Sequence, residues 1–149
     1  MSASTDIFKV NIKVNLDTKR LVRQWRSLLK DDDTMLEIHD TLARYCDPYV
    51  PMQEGVLAQT TEITAKSVKY TQPYAHYQYM GELYLAANGS SWAHKDEKKY
   101  PSGLPLVHSK EKHLRASKEW DKAMMAERGQ EFTHAIRDIL VRRANELYG

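Results

Sequence analysis

Polar and apolar residues alternate strictly from Ile7 to Val14 ("IFKVNIKV"), with Phe8, Val10, Ile12 and Val14 facing one way and Lys9, Asn11 and Lys13 the other. A period of two over this length predicts a half-buried strand. The pattern then changes. Leu21, Val22, Trp25, Leu28 and Leu29 fall on one helical stripe, and Asp17 is placed to cap a helix from about Thr18 to Lys30. "DDDTMLE" interrupts it, because three aspartates sit badly at a negative helix C-terminus and well at the next N-terminus. Thr34 and Glu37 have capping-box spacing there, and Met35, Ile38, Leu42 and Tyr45 carry an apolar face as far as Cys46. Pro48 ends that helix. From Val56 to about Tyr70 a Thr- and Val-rich run reads as a β-hairpin turning near Ala65-Lys66-Ser67. Residues 88–109 mix Gly, Ser, Pro and charge without a period, which predicts a long exposed loop. The last third returns to helix, first around Trp120, Ala123 and Met124. After a bend near Gly129 it continues through Phe132, Ile136, Ile139, Leu140, Ala144 and Leu147 to about Tyr148.

This order predicts an α+β fold: an N-terminal strand, two helices, an antiparallel hairpin or sheet, the long loop, and a C-terminal helix packed on the sheet. At 149 residues the chain is expected to be one domain, 1–149. Its single cysteine, Cys46, excludes an intramolecular disulfide and any cysteine-based zinc cluster, and it ends an apolar stripe, where it reads as a small buried hydrophobe. No apolar run approaches the ~18 residues of a membrane span, and the first residues lack a signal-peptide pattern. The expected setting is therefore the cytosol, or a particle assembled there. Net charge is only +2, from 22 basic and 20 acidic residues, far from a dedicated DNA binder. Charge is blocky, as in "KRLVRQWR", which on a helix reads as a solvated face before a nucleic-acid patch.

Candidate chemistry is sparse. The six histidines, His39, His76, His94, His108, His113 and His134, form no H-x-x-x-H or H-E-x-x-H pair. "GVLAQT" offers one glycine and no Gly-Lys-Ser/Thr, so it is no phosphate loop, and no nucleophile motif accompanies the serines of "NGSSW". Asp31, Asp32 and Asp33 lack the spacing of a calcium loop. The expectation is a non-enzyme with no cofactor and no bound metal, a metal-dependent hydrolase being remote. Tyr70, Tyr74, Tyr77, Tyr79 and Tyr84 form an aromatic run. It reads as a packed or subunit-facing surface, the alternative being a small nucleic-acid-binding accessory domain that stacks bases there.

Several fragments then line up in order: "LARYCDPYVPMQEGVLAQT", "VKYTQPYAHYQYMGELY" and "LVHSKEKHLRASKEWDKAM". Together they resemble the minor capsid protein family of tailed phages of Gram-positive bacteria and, more distantly, head–tail connector and tail-completion proteins. The matching positions are Asp47 to Met52, Gly55, Leu57, Pro73 to Ala75, Gly81 and Trp120, within roughly residues 36–126. The resemblance implies a structural virion protein at the neck, assembled in the host cytoplasm and without catalysis. It also implies a ring of six or twelve copies between portal-side connector or adaptor proteins and tail terminator or tail tube proteins. Double-stranded DNA would pass without sequence-specific binding, which the near-neutral charge suits. Expected interface residues are Tyr74, Tyr77, Tyr79, Tyr84, Trp92, Tyr100 and Leu104. Pro48, Tyr49, Pro51 and Gly55 form a rigid elbow that sets how helix and hairpin meet neighbouring subunits.

Overall fold

The helical stripes of the sequence become three helices that share one core. In a computed structural model, which describes residues 5–6, 19–51, 61–72, 74–108, 110 and 113–149, α1 spans Lys19–Leu28 and α2 spans Asp32–Cys46. Trp25 and Leu28 of α1 and Ile38, Leu42 and Cys46 of α2 are buried, as their spacing predicts. The cap of α2 is Asp31 rather than Thr34. The Asp31 carboxylate accepts the Thr34 N–H at 2.9 Å and the Thr34 hydroxyl at 2.6 Å. A charged acceptor at the N-cap satisfies two donors at once, so the helix starts three residues earlier than a threonine cap would set it.

α2 gives way at Asp47–Tyr49 to a 3-10 turn that contains Pro48. The break therefore tightens the chain before Val50 extends it. Strands β2 (Thr61–Ile63) and β3 (Val68–Tyr70) form the expected hairpin, with Ile63 opposite Val68. The Thr64 hydroxyl accepts the N–H groups of Lys66 and Ser67 and so fixes the turn. Strand β1 (Thr5–Asp6) pairs antiparallel with the other side of β3, giving the order β1-β3-β2. The expected strand Ile7–Val14, the Asp17 cap, Pro73 and Gly55 with its neighbours lie outside the described residues.

The short helix α3 (Ala75–Met80) ends at Gly81, whose φ of 69° is left-handed. Strand β4 (Glu82–Ala86) follows and pairs antiparallel with β5 (Lys99–Pro105). Here the structure corrects the expected loop over 88–109. Pro101, Gly103 and Pro105 erase the strand signal in the sequence, yet an edge strand tolerates proline because one side of its ladder is unpaired.

The long helix α4 runs from Trp120 to Tyr148 with a non-helical residue at Arg128 (φ −124°, ψ 18°), beside the bend expected at Gly129. Its N-terminal end meets the sheet, as the pattern suggested, and most of its length packs on α1 and α2. Its stripe of Phe132, Ile136, Ile139, Leu140 and Ala144 joins the core formed with α1 and α2, with Phe132 edge-on to Tyr45 at 5.5 Å. Its first turn meets β3, where Trp120 stands 5.1 Å from Tyr70. An apolar helical stripe is covered more fully by two helices than by three-residue strands.

Candidate functional site

Apart from Tyr148 at the end of α4, the exposed aromatic residues among those described gather on the unit built from α3, β4 and β5. Tyr84 packs on Tyr77 at 4.6 Å between ring centroids, and Tyr74 and Tyr77 are exposed. Tyr100 sits directly across from Leu85, so the two share a face with half-buried Leu83. Leu104 is exposed within the bulge that faces the Glu82–Tyr84 stretch, where Gly103 (φ 74°) lets the strand swell. Trp92, in the connection between the strands, is 76% exposed, with its ring edge-on to His94 at 6.1 Å between centroids. The connection is held by its own bonds: Ala86 N–H to Ser90 O, Trp92 N–H to Ser90 Oγ and Lys99 Nζ to Ser91 O.

Tyr79 stands apart from this set. It turns inward, 5.0 Å edge-on from Trp120, and its hydroxyl donates to the buried carboxylate of Asp121 at 2.8 Å. Burial raises its pKa, and the hydrogen bond and charge of Asp121 raise it further. Tyr70 is likewise taken into the core, and burial with the Cys46 and Asp47 charges raises its pKa. Two of the five tyrosines that a base-stacking platform would use are thus spent inside the protein.

The base of the hairpin is clasped to the segment before α4. Leu106 N–H donates to Gly81 O at 2.8 Å, Glu119 N–H to Tyr79 O at 2.8 Å, and His108 Nε2–H to Gln78 O at 2.7 Å. Glu119 takes a left-handed φ of 44°, a conformation that costs a non-glycine residue about 1–2 kcal/mol. A Cβ on Gly81 would lie 2.8 Å from the Lys118 side chain, so that crossing requires glycine.

The proline elbow is clasped by the same segment. Tyr49, Val50 and Pro51 are buried. Tyr49 O accepts the Ser117 N–H at 3.0 Å, and Val50 O accepts the His113 Nδ1–H at 2.9 Å. Burial and the nearby Glu127 raise the Tyr49 pKa. The elbow therefore fixes the interior, with its side chains turned away from solvent. Gly55 lies outside the described residues.

His113, Ser117 and Asp121 carry these clasps, and nothing in their spacing announced it, because each bonds a residue more than forty positions away. Val107 and Leu114, 89% and 81% exposed, were also hidden in the sequence, inside charged or aperiodic stretches. His39, His108 and His113 each donate a ring N–H to a backbone carbonyl. Among the described residues no group of three His, Cys, Asp or Glu is arranged to hold a metal ion. Cys46 is buried as expected, and desolvation, aided by the Asp121 and Asp47 charges, pushes its thiol up to about 12. The polar groups of this region fix backbone, and the apolar ones face outward.

A family model described as minor capsid protein matches residues 10–137. No curated protein and no solved structure matches the chain.

Proposed function

Because this chain belongs to the minor capsid protein family and is therefore a structural virion protein, we propose that it acts at the neck of a bacteriophage particle. In this reading it joins the portal side of the head to the tail as a ring of identical copies, six or twelve, without catalysis. The observation that carries the reading is the hairpin unit: Trp92, Tyr100 and Leu104 are exposed on a framework whose base is clasped to the core. A ring needs one patch that meets a different patch on the next copy. A two-stranded ribbon is marginal alone in water, and its exposed apolar side chains gain stability when a neighbour covers them. The partners on this reading are copies of the chain, a portal-side connector or adaptor, and a tail terminator or tail tube protein. Double-stranded DNA passes through the ring without being read.

Electron microscopy of particles made without the protein tests this. Filled heads beside unattached tails are expected, and normal infectious virions overturn the reading.

A further inference from the structure

The net charge of +2 averages a segregated distribution. Between Lys19 and Lys30 there are five cations, Lys19, Arg20, Arg23, Arg26 and Lys30, and no acidic residue. Without them the chain is net negative. All five are exposed. At about 100° per residue, Lys19, Arg23 and Arg26 fall within roughly 60° of one another, opposite buried Trp25 and Leu28, with Arg20 flanking them. Lys30 extends the row in the turn that closes the helix.

Most of the other arginines carry an ion pair, Arg137 being the exception among the described residues. Arg44 pairs with Asp40, Arg115 with Glu127, Arg128 with Glu131, and Arg142 and Arg143 with carboxylates of α2, the Asp31 cap and Glu146. Among the described residues the five cations of α1 and its closing turn have no ion pair. An uncompensated row of exposed like charges repels itself and is stabilised by a polyanion.

We infer that the outer face of α1 contacts the phosphate backbone of double-stranded DNA without reading its sequence. Charge density favours duplex over an acidic protein surface. From Lys19 to Arg26 the helix rises about 10 Å, and that length of duplex axis carries about six phosphates. Arginine also suits phosphate, because its planar fork donates two hydrogen bonds at once. The inference deepens the neck reading, which supplies the duplex, but free protein and free duplex test it independently of particle assembly.

The experiment measures binding of the full chain to a random 30-base-pair duplex by fluorescence anisotropy across a salt series starting near 50 mM. The triple variant Arg20→Gln, Arg23→Gln, Arg26→Gln is compared with Lys95→Gln, Lys98→Gln, Lys110→Gln, which removes three exposed cations elsewhere. Circular dichroism checks that both remain folded. The α1 variant is expected to lower the slope of log affinity against log salt by about 2–3, since each lost phosphate contact removes about 0.9. The other triple is expected to change it by less than half as much. Equal effects of the two triples, or no duplex binding by the unaltered chain at the lowest salt, overturn the inference. Polyglutamate competing as well as duplex per unit charge also overturns it, and assigns the face to an acidic protein.

Discussion

Tyr79 and Cys46 show how single inward-turned groups contribute to stability. Tyr79→Phe leaves the buried Asp121 carboxylate without the hydroxyl that donates to it, so a loss of about 1.5–3 kcal/mol is expected in chemical denaturation. Cys46 gives the alkaline signature. Its pKa rises from 9.0 to about 12 on folding, so its contribution to stability is intact below pH 9 and is lost as pH climbs toward 12. Denaturation midpoints should fall across that window, and Cys46→Val should make the fall shallower. Midpoints that do not respond to that substitution would count against a buried, protonated thiol. Asp31 acts at the other end of the scale. The hydrogen bonds from the Thr34 hydroxyl and N–H, then from Arg143, hold its carboxyl below the usual range. Its contribution is present above its unfolded pKa and lost as pH falls through the folded one. Asp31→Ala is expected to cost about 1 kcal/mol at neutral pH through the lost cap alone, read as a lowered urea midpoint.

Two glycines at element boundaries are expected to respond in opposite directions. Gly129 lies inside α4 next to the kink, and an added Cβ would meet only the Met125 methyl at 3.6 Å. Gly129→Ala should therefore stabilise by roughly 0.5–1 kcal/mol, seen as a rise in Tm. Gly81 ends α3 in a left-handed conformation against Lys118. Gly81→Ala should destabilise by at least about 1–2 kcal/mol, because the strained backbone and the 2.8 Å approach to Lys118 act together. A neutral result at Gly81 would mean that the clasp between α3 and the segment before α4 is loose. The kink also divides the work of α4. Trp120 and Met124 serve the side with β3 and α3, whereas Phe132 onward serves the core with α1 and α2.

For the whole molecule, the decisive contrast is between stability and assembly. The triple variant Trp92→Ser, Tyr100→Ser, Leu104→Ser alters side chains that are exposed and contribute little to the core. It should leave Tm nearly unchanged, with surface substitutions each costing within about 0.5 kcal/mol. Completion of particles should nevertheless drop sharply when the variant replaces the natural protein, measured as infectious titre against filled heads. A variant that unfolds, or one that completes particles normally, would separate the hairpin from any interface.

Local signals were enough to place what depends on neighbours along the chain. The stripes of α1, α2 and α4, the hairpin turn at Ala65-Lys66, the bend at Gly129 and the buried Cys46 were all legible, because each is set within a few residues. The ordered motifs from Leu42 to Met124 also carried the family resemblance. Partners distant in sequence were not legible. The strand at Lys99–Pro105 is specified by pairing with β4, which overrides prolines that deny it locally. The clasps of Tyr49 by Ser117, Val50 by His113 and Tyr79 by Asp121 join positions that no period connects. The same holds for the charge on α1: composition showed near-neutrality, whereas only the folded chain shows which arginines have found carboxylates and which have not.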